Sequence, residues 1–165
     1  MNIAFYFAAS IAVLSTFLVI TQADGVHALL YLVVSLLSVA LVFFTLGAVF
    51  AAALEVIVYA GAIVILLVFL VMMLNLGGTA ARETQWLKPQ VWVGPAILAV
   101  ILEAELVSIM ISGNAGAPSL VVILPRDVGI TMFGPYLLCV ELASVLLLAA
   151  LIGAYRLADI GRSGG

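Results

Sequence analysis

Five stretches of about twenty apolar residues, separated by short polar breaks, dominate the chain. They run from about Asn2 to Thr21, His27 to Leu46, Phe50 to Leu74, Val91 to Ser112 and Phe133 to Tyr155. A hydrocarbon core of about 30 Å is crossed by about 20 helical residues, so each stretch can span a bilayer. None alternates apolar with polar positions as a membrane barrel requires. The pattern therefore predicts an all-α membrane protein: five transmembrane helices in one domain covering residues 1–165.

The breaks carry turn chemistry. Asp24-Gly25 separates the first pair, with Asp24 expected to cap the second helix. Gly47 marks a very short turn, and Asn75-Leu76-Gly77-Gly78 reads as a helix stop. The longest polar loop, 77–90, holds Arg82, Glu83 and Lys88. The loop 113–132 holds Gly116, Pro118, Pro125, Arg126 and Asp127. A short apolar run inside it, 120–124, reads equally as a strand or as an interfacial segment.

Composition removes whole classes. With 67% hydrophobic and 8% charged residues, and a mean hydropathy of +1.44, the chain is no soluble domain, where roughly a quarter of residues are charged. Disorder is excluded on the same ground. The net charge of −3 comes without a basic patch, so nucleic acid is not an expected partner. Five spans place the N-terminus and the loops at 47–49 and 113–132 on one side, with Arg126 alone. Arg82, Lys88, Arg156 and Arg162 lie on the other. That asymmetry predicts an outside N-terminus and a cytoplasmic C-terminus. The first span has no basic n-region or small-residue cleavage site and is not read as a removable leader. No internal repeat is visible, and five spans do not divide into the two related halves common in transporters. A subunit of something larger is the expectation.

One cysteine, Cys139, excludes an internal disulfide and a multi-cysteine iron–sulfur site, and one histidine, His27, excludes a bis-histidine haem. There is no dinucleotide fingerprint, phosphate loop, metal-ligand cluster or recognisable triad. No redox cofactor or metal is expected on this chain.

Candidate chemistry therefore rests on intramembrane carboxyls, which are costly and functional by default. Four glutamates qualify: Glu55, Glu103, Glu105 and Glu141. No Lys or Arg is expected within a span, so their partners are protons, water or another subunit. At about 100° per residue, Glu55, Tyr59, Ala62, Leu66 and Met73 share one helix line. A phenol one turn from a carboxyl can relay a proton through water. Ala60, Gly61 and Ala62 leave room for a close helix or local unwinding. A satisfied interhelical hydrogen bond at Glu55 stays equally open. Glu103 and Glu105 lie about 200° apart on a helix and cannot face one partner. The assigned topology puts Glu55, Glu105 and Glu141 in the outer half of the bilayer.

Lesser features have plainer readings. His27 reads as a local hydrogen-bonder, and Met72 and Met73 as packing. Pro95 and Pro135 are expected in the first turns of their spans, where a missing amide is harmless. Trp86 and Trp92 read as interface anchors, and Cys139 as a small buried residue.

The third span carries the most specific pattern. The run from Ala53 to Gly77, with Glu55, Tyr59-Ala60-Gly61-Ala62, Met72-Met73 and Asn75, resembles the subunit J family of bacterial proton-pumping NADH:quinone oxidoreductase. That family is the counterpart of mitochondrial complex I subunit 6. Val26-His27-Ala28-Leu29-Leu30-Tyr31, Gln85 to Gln90, Phe133-Gly134-Pro135-Tyr136 and Glu141-Leu142-Ala143-Ser144 extend the resemblance over most of the chain. The resemblance implies a non-redox membrane-arm subunit in the bacterial inner membrane, beside subunits A, H, K and N. FMN, iron–sulfur clusters and quinone would be carried by other subunits. It further implies a third helix able to carry a π-bulge near Tyr59, whose straightening opens a hydrated path. Glu55 and Tyr59 would then be the proton-relay or coupling pair, and Tyr59, Gly61 and Ala62 the conformational switch. Glu103 and Glu105 are not carried over as family hallmarks. The chain ends soon after its fifth span, at Gly165, whereas some relatives have a longer charged tail, so contacts that depend on such a tail are not carried over. Two alternatives remain: a related hydrogenase or multi-subunit cation/proton antiporter, and a purely structural helix spacer.

Overall fold

The computed structural model describes residues 3–74, 89–111 and 122–163. The stop at 75–78, Arg82, Glu83, Trp86, Lys88, Gly116 and Pro118 lie outside the described residues. Six helices are described: α1 (Ile3–Thr21), α2 (Gly25–Thr45), α3 (residues 49–74), α4 (Pro89–Ile111), α5 (Pro125–Met132) and α6 (Leu137–Ser163). Five contain spans long and apolar enough to cross a membrane: Ile3–Thr21, Gly25–Thr45, Val49–Met73, Trp92–Ile111 and Leu137–Asp159. The protein is a multi-pass, all-α membrane protein.

The chain divides into two compact units, Met1–Ile123 and Leu124–Gly165. In the first, α1 and α2 form an antiparallel hairpin. Its seam is built from small residues: Ala8 and Ser15 are 0% exposed on α1, as is Ser38 on α2. Without a hydrophobic drive between helices in lipid, small side chains let backbones approach and polar ones bond across. The Thr16 and Ser35 hydroxyls lie 2.7 Å apart, and the Ser35 hydroxyl also reaches the Ala12 carbonyl at 3.3 Å. Ile11, Val34, Leu41 and Leu102 complete the core, which brings α4 onto the hairpin.

The ends of α2 follow from side-chain chemistry. The Asp24 carboxylate accepts from the amides of Val26 (2.9 Å) and His27 (3.4 Å), as expected of a cap. His27 Nδ1 stands 4.0 Å from the same carboxylate, a local contact. At the other end Gly47 takes φ 83°, where a side chain would be strained. The Gly47 amide donates to the Phe44 carbonyl and the Ala48 amide to that of Phe43, a Schellman closure. This closure turns the chain directly into α3.

The second unit corrects three boundaries. The loop expected over 113–132 contains α5, which begins at Pro125 with Leu124 extended before it and Asp127 in its first turn. The last helix begins at Leu137, not near 133, because residues 133–136 form a corner. There a Cβ on Gly134 would sit 2.7 Å from the Ile130 carbonyl oxygen, so only glycine fits. Pro135 lies in that corner, outside the helix. Because α6 continues to Ser163, Arg156 falls inside the span Leu137–Asp159, near its end.

Two further expectations change. Pro95 lies in the second turn of α4, because that helix already starts at Pro89. Cys139 is exposed rather than buried. Of the 120–124 run, residues 122–124 are neither strand nor helix. The Ile123 amide donates to the Gly47 carbonyl at 3.1 Å, tying this segment to the α2–α3 turn.

Candidate functional site

The third span is not a uniform α-helix. Val49–Leu54 is α-helical, Glu55–Ile63 is wound as a π-helix over 9 residues, and Val64–Leu74 is α-helical again. A π turn bonds each amide to the carbonyl five residues back, and such segments are rare and concentrated at functional sites. The exit shows this wider turn directly: the Val64 amide reaches the Tyr59 carbonyl as well as that of Gly61.

A glycine stands where this turn closes. A Cβ on Gly61 would stand 3.2 Å from the carbonyl oxygen of Val56, five residues earlier. That is tighter than ordinary van der Waals contact, and the obstacle is backbone, which cannot swing aside. The expected π-bulge is therefore present, and Glu55, Tyr59, Gly61 and Ala62 all lie within it. The line through Glu55, Tyr59, Ala62, Leu66 and Met73, drawn at 100° per residue, holds only for α winding and does not carry across nine π residues. Glu55 is partly buried, while Tyr59 is 50% exposed. Among the described residues no hydrogen bond joins the Glu55 carboxyl to the Tyr59 hydroxyl.

The glutamates of α4 separate as their 200° spacing requires. Glu105 follows Leu98 and Leu102 on the face packed toward α1 and α2, with Ile109 one turn on. Both its carboxyl oxygens are shut off from solvent and accept no hydrogen bond among the described residues. Glu103 is exposed and looks into a cleft of about 430 Å³ between α2, the start of α3 and α4. Leu37 and Leu41 of α2, Ala53 and Val56 of α3, and Ala99 of α4 help line it. Val56 is the second residue of the π segment, so the cleft abuts the switch candidate. No pattern along the chain announces this cleft, whose walls come from three helices.

A second close approach also escapes the sequence pattern. A Cβ on Gly94 would collide with the Tyr31 hydroxyl, so α4 crosses α2 at a glycine. A glycine one residue before Pro95 was the available signal. Glu141 lies on α6 in the other unit and is exposed; the Ser144 hydroxyl donates to its backbone carbonyl, at 2.7 Å. It is not grouped with the other three by anything within its unit. Among the described residues no cluster of three or more His, Cys, Asp or Glu could hold a metal ion.

The chain matches the family model of NADH-ubiquinone/plastoquinone oxidoreductase chain 6 over residues 15–157. It is 55% identical over 159 residues to NADH-quinone oxidoreductase subunit J of Pseudomonas aeruginosa, covering 95% of this chain and 96% of that one. The subunit J of Escherichia coli K12 is 54% identical over 165 residues, 99% of this chain and 90% of its own. That of Buchnera aphidicola from Schizaphis graminum is 46% identical over 158 residues, 95% and 97%. The chain therefore belongs to the chain 6/subunit J family, membrane subunits of the proton-translocating NADH-quinone oxidoreductase, respiratory complex I.

Proposed function

We propose that this chain couples quinone reduction elsewhere in the complex to proton translocation, through a change of winding in its third span. The observation that carries the reading is the π segment Glu55–Ile63, which holds a carboxyl, a phenol and a glycine in nine residues. A π turn closes on the carbonyl five residues back where its α flanks close on the fourth, so rewinding it to α turns one flank against the other. Gly61 lowers the steric cost, Ala62 keeps the surface small, and Tyr59 supplies the hydrogen bond that distinguishes one winding from the other. Glu55, at the entry, is the proton relay or coupling carboxyl.

The chain acts as one five-span membrane unit in the bacterial inner membrane, N-terminus outside and C-terminus cytoplasmic, as its basic residues favour. Large apolar side chains such as Phe69, Leu146 and Leu151 are more than 60% exposed, and no residue of the last span's apolar window is buried. Such faces suit contact with lipid and with neighbouring membrane subunits, for which A, H, K and N are the candidates. FMN, iron–sulfur clusters and quinone belong to other subunits. Glu141, on the other compact unit, is proposed only as a lesser intramembrane carboxyl.

The test is to make Glu55→Gln and Tyr59→Phe in the assembled complex and measure protons moved per NADH oxidised. Both variants are expected to lower that ratio. Normal pumping and turnover in both, with the complex assembled, would remove the mechanism. A loss of assembly with turnover per complex unchanged would favour a structural spacer instead.

A further inference from the structure

We propose that α5 is an interfacial lipid-binding helix: Arg126 holds the phosphate of a phospholipid headgroup, and Ile130 and Phe133 lie against the acyl chains of the same lipid. The inference stands independently of the reading of the third span.

The place of α5 in the fold points to the membrane boundary. It has 8 residues, about 12 Å at the α-helical rise, far too short to cross a bilayer. It shares one compact unit with α6, which contains the last span. The Tyr136 amide donates to the Thr131 carbonyl at 3.3 Å, and the Leu137 amide to the Gly134 carbonyl at 3.2 Å. These bonds fasten the end of α5 to the first residue of that span. The helix is therefore held where α6 enters the membrane, in the zone of headgroups and first acyl carbons.

The sides of α5 suit that zone. Arg126, Ile130 and Phe133 follow at i, i+4 and i+7, one stripe of a helix. Ile130 is 59% and Phe133 70% exposed, and Arg126 is exposed with them. Val128 and Gly129 are half-buried on a second side. Asp127 and Thr131 form the third, polar side, where the Thr131 hydroxyl donates to the Asp127 carbonyl at 2.8 Å. Separate apolar and polar sides, with a basic residue between them, characterise helices that lie in the interface plane. Among the described residues Arg126 forms no ion pair or hydrogen bond. A free guanidinium beside an exposed apolar stripe matches, in sign and in order, a phosphate above its acyl chains. Guanidinium can grip a phosphate with two parallel hydrogen bonds, while its stem lies along apolar surface. Exposed Tyr136 at the corner has the ring type that favours headgroup level.

The experiment places a benzophenone side chain at Ile130 in the assembled complex. The complex is held in dodecyl maltoside micelles with added phosphatidylglycerol, or with diacylglycerol, which lacks the phosphate. Illumination followed by mass spectrometry identifies what has bonded to the probe. A phosphatidylglycerol adduct is expected, half-maximal at a lower mole fraction than that of diacylglycerol. Arg126→Gln is expected to raise the phosphatidylglycerol half-point about fivefold, the usual worth of one basic residue at an anionic lipid surface. Arg126→Lys, which keeps the charge, is expected to restore most of it. An adduct to a peptide of a neighbouring subunit, or no adduct at all, would overturn the inference. Equal half-points for the two lipids with Arg126 intact would overturn it too, because the stripe would then be apolar surface without a headgroup site.

Discussion

The α1–α2 hairpin and the third span are both apolar antiparallel helices of the same unit, yet they are built by opposite rules. The hairpin closes on Ala8, Ser15 and Ser38, all at 0% exposure, and ties its two helices together by the Thr16–Ser35 bond. Its ends are fixed by the Asp24 cap and the Gly47 closure. The third span buries only 6% of its apolar window and lacks regular α winding over its middle. Packing in the hairpin leaves one arrangement available. The π segment makes the third span the element that the proposed reading lets change its winding. A membrane machine needs both: a fixed frame to push against and an element that can change state.

Overpacking the frame is the strongest way to break this contrast. Ser38→Leu adds two heavy atoms, and removes a hydroxyl, at a fully buried seam and is expected to destabilise the subunit by about 1–3 kcal/mol. The same residue volume added at Val58 of the π segment, which is 42% exposed, is expected to cost far less. Thermal unfolding of the two variants in detergent checks the pair. Equal losses would mean that the third span is as tightly held as the hairpin.

The frame's end comes next. Asp24→Ala removes the acceptor for the Val26 and His27 amides and is expected to cost about 1 kcal/mol, with Asp24→Asn retaining most of it. Amide hydrogen exchange over Gly25 to Leu29 reads the fraying locally. No change there would show that the α2 start is held by packing and not by its cap.

Smaller still is the polar stitch across the seam. A double-mutant cycle with Thr16→Val and Ser35→Ala is expected to give a coupling of about 0.6 kcal/mol, the usual worth of a hydrogen bond between membrane helices. A coupling indistinguishable from zero would leave small-residue packing as the hairpin's sole device.

The hairpin was far more legible in the sequence than the third span. Twenty-residue apolar runs announce spans because lipid demands internally bonded helices. Asp24 and Gly47 announced their turns because capping and positive φ need those residue types. Pro125 with Asp127 was an equally good start signal, masked by the surrounding loop residues. The π winding is different in kind. Nine residues of Glu55–Ile63 carry the same apolar character as their α-helical flanks, and periodicity does not distinguish i−4 from i−5 bonding in a helix that is apolar all round. Resemblance supplied the expectation, and Gly61 was its one physical trace. The division of Glu103 from Glu105 was legible as an angle, but which one faces the fixed bundle depends on how α4 seats on Tyr31 at Gly94.

The smallest expected change in stability is also the most informative about the third span. In an ordinary helix interior Gly→Ala gains about 1 kcal/mol, because alanine loses less backbone freedom on folding. At Gly61 the new Cβ would stand 3.2 Å from the Val56 carbonyl, five residues back. That crowding exists only in the π winding, where the amide of each residue closes on the carbonyl five before it. The helical gain and the crowding therefore offset each other in the π form, and net stability is expected to move by less than about 0.5 kcal/mol. In an α-wound form the gain stands alone, so Gly61→Ala biases the segment toward α by up to about 1 kcal/mol, roughly fivefold in population. Protons moved per NADH should then change while the melting temperature hardly does. A variant that melts at the wild-type temperature and pumps at the wild-type ratio would mean that the winding of Glu55–Ile63 has no part in coupling. A variant that is substantially destabilised would place the third span with the frame, because only a segment locked in one winding bears the full cost of the clash.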